Sequence, residues 1–154
     1  MIDTFDQLMG LALEEARAAL VHDDVPVGAL VVGLDDGVVL ARRHNERELA
    51  GDPTAHAELL AITDAARDRD GWRLDDCALV VTLEPCPMCA GAALAARIPV
   101  VVFGAADPKA GALGSLYHLG SDPRLNHSID VRDGVRAEES TTLLREFFAG
   151  RRLH

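Results

Sequence analysis

Four metal-binding or acidic side chains in two short segments constrain this chain most, because they are useful only if the fold brings them together. His56 and Glu58 stand two residues apart, and Cys86 and Cys89 stand three apart with Pro85 before them. One imidazole and two thiolates suit Zn²⁺, and three protein ligands leave the fourth position for water. A structural zinc normally has four protein ligands. The pattern therefore predicts a catalytic zinc, with Glu58 as a nearby carboxylate that is not a ligand.

Each segment alone is weak evidence for a catalytic metal. A Cys-x-x-Cys pair also occurs in redox dithiols and in structural zinc sites, and buried cysteines are often inert. It is the combination of both segments, in this order, that favours a catalytic metal. Such a zinc lowers the pKa of its water toward about 7. Glu58 is then placed to move a proton to a nitrogen leaving group, which is hydrolytic deamination, although the ligands alone equally permit other hydrolyses.

Composition predicts one globular domain over residues 1–154. The chain is 49% hydrophobic, enough for a sizeable core. With two of the three cysteines assigned to the metal, Cys77 is expected to be a small buried hydrophobe, and no disulfide framework can form. Cysteine usage thus favours a reducing cytoplasm. The N-terminus has acidic residues where a signal peptide carries basic ones, and no apolar run is long enough to span a membrane, so these features favour the same location.

The net charge of −10 and the isoelectric point of about 4.9 bear on partners. A polyanion such as RNA is repelled by such a chain at long range, so the charge favours a small neutral substrate. A local basic patch can still exist on an acidic protein. Its candidate members are Lys109, Arg124, Arg145, Arg151 and Arg152.

Hydrophobic periodicity predicts an alternation of helices and strands. The predicted order is helix 4–21, strand 27–34, turn 35–37, strand 38–42, polar loop 45–52, helix 55–69, strand 78–83, helix 87–97, strand 100–104, irregular segment 107–127, short strand 129–131 and helix 138–148. A hairpin followed by strand–helix alternation indicates an α/β fold, a mixed sheet covered by helices on both faces. His56 is expected in the first turn of the second helix, and both cysteines at the start of the third, where helix dipoles favour thiolates.

The motifs resemble the cytidine deaminase-like superfamily, and the wider sequence resembles its bacterial tRNA-specific adenosine deaminases. The resemblance runs over nearly the whole chain and is carried by 25–29, Asn45, 52–58, 82–92, 102–104, 114–116 and 125–127. It implies a three-layer α/β/α sandwich with a mixed five-stranded sheet, a Zn²⁺ cofactor, and conversion of adenosine to inosine at the wobble position of a tRNA anticodon. It also implies a homodimer, for which the alanine-rich third helix offers a closely packing face.

The resemblance further assigns residues to the substrate. The residues that it places around the target nucleotide are Asn45, Val27, Ala57, Glu84 and Asp107. Asn45 is expected to hydrogen-bond the base, and Asp107 to contact ribose hydroxyls, which distinguish RNA from DNA. Taken as residues alone, Asn45 also suits a loop turn and Asp107 an Asx turn before Pro108. His127 suits a structural hydrogen bond better than a substrate contact.

Two other functions remain open at this point. The same zinc chemistry would deaminate a free nucleobase or nucleoside of the guanine or cytosine type, for which the negative charge is no obstacle. A zinc-stabilised binding module is the non-enzymatic alternative, and it would leave Glu58 without a task.

Overall fold

The first helix of the computed structural model, which describes residues 4–151, begins with a signal visible in the sequence. In α1 (Phe5–Ala18), the Thr4 hydroxyl accepts the Gln7 N–H at 3.2 Å, and the Gln7 side chain accepts the Thr4 N–H at 2.9 Å. This capping box satisfies two backbone donors at the helix start. A 3₁₀ turn (Ala19–His22) extends the helix and ends at Asp23, whose φ is 65°.

Five strands form one mixed sheet. They are β1 (Gly28–Gly33), β2 (Val39–His44), β3 (Cys77–Leu83), β4 (Val100–Ala105) and β5 (Asp130–Arg132), in the order β2-β1-β3-β4-β5. β1 pairs antiparallel with β2 and β3, whereas β3, β4 and β5 run parallel. Every residue of β1 is buried, which explains why this strand is a continuous apolar run rather than an alternating one.

Helices cover both faces of the sheet. The remaining helices are α2 (Arg47–Ala50), α3 (Ala57–Arg69), α4 (Pro87–Ala95) and α5 (Ala137–Arg151). Leu30 and Val32 of β1 pack with α1, while Ala29 and Val31 pack on the other face in the cluster that includes α3 and α4. Gly28 permits the approach of α1, because a Cβ there would lie 2.0 Å from the Ala12 carbonyl oxygen. The predicted α/β architecture with a mixed five-stranded sheet is confirmed.

Two local predictions are wrong. His56 is not inside a helix: it is the extended N-cap residue of α3, with φ −79° and ψ 145°, and the helix begins at Ala57. The predicted polar loop 45–52 contains α2, a single helical turn. The carboxylate of Asp24 accepts the N–H groups of Glu48 and Leu49 at 2.9 and 3.2 Å, so a residue distant in sequence stabilises this turn.

Across residues 4–151, the helices are too short or too polar to cross a lipid bilayer. Segment 106–128, which includes the predicted irregular segment 107–127, is largely irregular apart from a bridge between Leu113 and His118.

Candidate active site

The three predicted metal ligands converge at the starts of two helices. His56 is the N-cap of α3, Cys86 is the N-cap of α4, and Cys89 lies in the first turn of α4. The His56 Nδ1 atom is 3.7 Å from Cys86 Sγ and 3.5 Å from Cys89 Sγ. A tetrahedral zinc with the usual Zn–N and Zn–S bond lengths separates such ligand atoms by roughly 3.6 Å. The donor set and its spacing therefore fit Zn²⁺.

Local sequence explains how the two thiols are presented. β3 ends at Leu83, and Pro87 occupies the first turn of α4, where its missing N–H costs nothing. The Ala90 N–H donates to the Cys86 carbonyl oxygen at 2.9 Å and so starts the helical hydrogen-bond ladder at the ligand itself. Both thiols consequently lie at the positive end of a helix, which favours thiolates.

The side chains of this group shift one another's pKa values. Hydrogen bonds from Cys89 and then from His56 hold the pKa of the Cys86 thiol at about 4. The Cys86 sulfur and burial raise the pKa of Cys89. The hydrogen bond to Cys86 raises the pKa of His56. The lowered pKa of Cys86 agrees with a thiolate at this position.

Glu58 is buried beside this group and is only 4% exposed. Burial raises the pKa of its carboxyl to about 7, against smaller opposing effects from a backbone hydrogen bond and from His56. A carboxyl group with that pKa both accepts and releases a proton near neutral pH, as general acid–base catalysis requires.

The metal-binding group opens into a cavity of about 680 Å³. Its lining consists of Val25, Val27, Asn45, Arg47, His56, Glu58, Leu83, Glu84, Cys86, Ala106, Asp107, Pro108, Lys109, Ala110, Leu144, Phe148 and Arg151. Four of the five substrate-binding residues predicted above therefore border one cavity. Its size is that of an ordinary small-molecule site.

Ala57 is the exception, because it does not border the cavity, and its contact with substrate stays a prediction. It is fully buried, and its contribution is a backbone N–H that donates to Asn45 Oδ1 at 2.9 Å. Asn45 Nδ2 in turn donates to the Val25 carbonyl oxygen at 3.0 Å. The Asn45 amide thus ties the start of α3 to the segment before β1, and retains one N–H and one lone pair for other contacts. Its contact with a base stays a prediction.

Glu84 organises the irregular segment at the other side of the cavity. Its carboxylate accepts the N–H groups of Asp107, Leu113 and Ser115 at 3.0, 3.0 and 3.1 Å, and also the Ser115 hydroxyl. Burial by itself would raise the pKa of the Glu84 carboxyl, but the hydrogen bonds from Ser115, Asp107 and Leu113 outweigh burial, so the pKa is lowered. Gly111 permits this arrangement, because a Cβ there would lie 2.3 Å from the carboxylate.

Asp107 and His127 both make the local contacts that their residue types suggested. Asp107 Oδ1 accepts the backbone N–H groups of Lys109 and Ala110 at 3.1 and 3.2 Å, which is an Asx turn at the cavity edge. His127 Nε2 lies 3.0 Å from the Ile98 carbonyl oxygen, which supports a structural role. The contact of Asp107 with ribose stays a prediction.

Basic residues at the cavity differ in part from the predicted patch. Lys109 and Arg151 line the cavity, whereas Arg124 pairs with Asp122 on the surface at 2.7 Å and Arg145 is exposed on α5. Arg152 lies outside the described residues. Sequence reasoning missed several lining residues, namely Val25, Arg47, Leu83, Leu144 and Phe148. No local signal marks them: Arg47, Leu144 and Phe148 reach the cavity only because α2 and α5 pack beside it, and Val25 and Leu83 are ordinary apolar residues next to strands.

Comparison with known proteins gives concordant matches over this chain. A family described as MafB19-like deaminase matches residues 3–152. A Bacillus subtilis protein named tRNA-specific adenosine deaminase is 46% identical over 146 residues, covering 94% of this chain and 89% of that protein.

Solved structures are similar as well. One comes from a study of A-to-I editing by tRNA:A34 deaminases at the wobble position of transfer RNA. It is 44% identical with a TM-score of 0.85, covering 90% of this chain and 99% of that one. Guanine deaminase from Nitrosomonas europaea is 29% identical with a TM-score of 0.80, covering 97% and 86%.

Proposed function

This chain belongs to the MafB19-like deaminase family and to the bacterial tRNA-specific adenosine deaminases, and from that premise we propose that it is a zinc-dependent enzyme that converts adenosine to inosine at the wobble position of tRNA anticodons. The observation that carries the proposal is the convergence of His56, Cys86 and Cys89 beside buried Glu58, in a chain 46% identical to a tRNA-specific adenosine deaminase. Residues 1–154 then form a single zinc-dependent deaminase domain.

His56 Nδ1 and the two thiolates would hold the zinc. When bound, zinc supplies an acidified water and Lewis-acid polarisation. Glu58 takes up a proton at its carboxylate and returns it to the nitrogen that leaves as ammonia, a task that burial favours because it raises the pKa of the carboxyl.

The cavity walls would orient the nucleotide. Val27 provides an apolar surface, and the free N–H and lone pair of Asn45 would hydrogen-bond the base. Asp107, fixed by its Asx turn, would contact a ribose hydroxyl, and Glu84 holds the segment that carries it. A flipped-out nucleotide fits this arrangement, because the reacting base must leave its stack to reach the metal.

Three basic side chains at the cavity support an RNA substrate despite the net charge of −10. They are Arg47, Lys109 and Arg151, contributed by α2, the irregular segment and α5. Arg151 also bonds Asp23, with Nη2 2.8 Å from Oδ1. Few phosphate contacts of this kind give weak binding and a shallow dependence on salt concentration.

A homodimer is part of the proposal. α3 and α4 border an exposed apolar groove, at whose edge Trp72 is 57% exposed. The groove is lined by Leu59, Ile62, Thr63, Ala66, Arg67, Asp70, Gly71, Trp72, Ala92, Ala95 and Ala96. Exposed apolar surfaces of this kind mark interaction sites, and the small side chains of α4 permit close packing of a second copy. Light scattering of the native chain and of Ala92→Arg tests this: a wild-type monomer at micromolar concentration contradicts it.

The decisive experiment is an inosine assay on an unmodified anticodon stem-loop beside a panel of free bases and nucleosides. Inosine in the stem-loop, absent with Glu58→Gln, is the expected result. The competing function is deamination of free guanine, which the similarity to guanine deaminase and the net charge of −10 both favour. Turnover of guanine without inosine in RNA would replace the tRNA proposal. The cytoplasmic location stays a prediction.

A further inference from the structure

Two histidines outside the candidate active site point their rings at each other. His22 ends the 3₁₀ turn after α1, and His44 is the last residue of β2. Their Nε2 atoms are 3.2 Å apart, while the ring centroids are 5.2 Å apart and the ring planes are inclined by 28°. Because the Nε2 atoms are much closer than the centroids, the rings approach each other edge to edge through Nε2.

The other nitrogen of each ring, Nδ1, is hydrogen-bonded to a carboxylate. His22 Nδ1 lies 2.6 Å from Asp24 Oδ2, and His44 Nδ1 lies 2.7 Å from Glu15 Oε2. An ionised carboxylate only accepts hydrogen bonds, so each Nδ1 carries a hydrogen. A neutral imidazole has one N–H, so two neutral rings held in this way present the lone pairs of their Nε2 atoms to each other.

Two such lone pairs at 3.2 Å repel each other unless the rings share a proton or both nitrogens bind one metal ion. We propose that His22 Nε2 and His44 Nε2 are ligands of a divalent transition-metal ion at a second site of this chain. Two nitrogen ligands of a tetrahedral zinc are separated by roughly 3.3 Å, close to the distance found here. Neutral imidazole suits Zn²⁺, Ni²⁺ and Cu²⁺ alike.

The surroundings of the pair are those of a metal site. Histidines that bind metals usually donate their other ring N–H to a carboxylate, which fixes the tautomer and increases ligand basicity. Asp24 and Glu15 play that part here, and Asp24 is 2% exposed. The imidazoles themselves are 15% and 20% exposed, so water can complete the coordination. Two protein ligands bind a metal more weakly than the three at the candidate active site.

The second site lies directly behind the cavity wall. Asp24 precedes Val25, His44 precedes Asn45, and Asn45 Nδ2 donates to the Val25 carbonyl oxygen at 3.0 Å. Asp24 also accepts the two N–H groups that start α2. An ion bound by both histidines joins these segments and stiffens one side of the cavity.

The test measures metal content and does not depend on activity. Full-length protein without a histidine tag is loaded with one zinc per chain and dialysed against a series of Ni²⁺ concentrations, and both metals are counted by atomic emission. The wild type is expected to bind one nickel per chain with its zinc retained. His22→Ala and His44→Ala should each lose that nickel, and Glu15→Gln should weaken nickel binding about 10–100-fold.

His118→Ala is the matched control, since His118 is an exposed histidine elsewhere on the surface, and it should bind nickel like the wild type. Two results overturn the proposal. One is that nickel binds only by displacing zinc from the candidate active site. The two histidine rings would then bind no metal and would share a proton instead. The other is unchanged nickel binding in both histidine variants.

Discussion

The two sides of the cavity are built on different principles. We call the metal-binding group with Glu58 the floor, and α2 with segment 106–115 the rim. The floor is held by two helix starts, with His56 and Cys86 as N-cap residues. The rim is held by two buried carboxylates, because Asp24 accepts the first N–H groups of α2 and Glu84 accepts those of Asp107, Leu113 and Ser115. The candidate metal ligands thus stand on helix starts, whereas the rim depends on long-range hydrogen bonds to side chains, so we expect that the two can be altered separately.

The largest effect is expected from removing a ligand at the floor. Cys86→Ala should lower zinc from about one per chain to far below one and abolish deamination, because two remaining protein ligands hold the ion poorly. Cys77→Ala is the matched control: Cys77 is buried in β3, outside the ligand group, and the variant should keep its zinc. Elemental analysis after chelator treatment measures both. Undiminished zinc in Cys86→Ala contradicts the ligand assignment.

A second change at the floor separates chemistry from metal binding. Glu58→Gln should retain zinc and fold but lose about 10²–10⁴-fold in kcat, since the amide cannot carry a proton. Circular dichroism and metal content serve as controls for the fold. Near-normal turnover would exclude Glu58 as the proton carrier.

A change at the rim should alter binding and stability rather than chemistry. Glu84→Gln places an amide NH₂ against backbone donors, which should cost about 1–3 kcal/mol in the free energy of unfolding. The affected segment carries Asp107, so KM for the stem-loop should rise more than kcat falls. Asp122→Asn, a carboxylate paired with exposed Arg124 in the same irregular segment, is the control and should leave the denaturation midpoint almost unchanged. A fall in kcat as large as the rise in KM from Glu84→Gln would show that floor and rim are not independent.

The smallest effect concerns charge at the rim. Arg47→Ala and Lys109→Ala should each reduce the salt dependence of stem-loop binding by roughly one unit of slope for each phosphate that is no longer neutralised. Arg145→Ala, an exposed cation of α5 that does not border the cavity, should leave the slope unchanged. Fluorescence anisotropy over a range of salt concentrations gives the slopes. Identical slopes in the wild type and all three variants would remove Arg47 and Lys109 from the RNA surface.

The division between floor and rim also separates the features that the sequence predicted from those that it did not. The strands, the main helices and the floor followed from the sequence, because hydrophobic periodicity and ligand spacing are local properties. The helix over 57–69 begins two residues later than expected, since extended backbone at His56 turns its ring toward the cysteines. The resemblance to adenosine deaminases of tRNA added the family, and the comparisons confirm it.

The sequence by itself determined which side chains are the candidate zinc ligands and the candidate proton carrier, and the order of the elements that carry them. Tertiary structure alone decided that a single helical turn forms at Arg47–Ala50, that Ala57 contributes a backbone N–H, and that His22 and His44 meet. The physical reason is distance along the chain. Asp24 stabilises a helix start 24 residues away, and Glu84 bonds Leu113 from 29 residues away. The partners of such hydrogen bonds are neighbours only in the tertiary structure, so no local pattern predicts them.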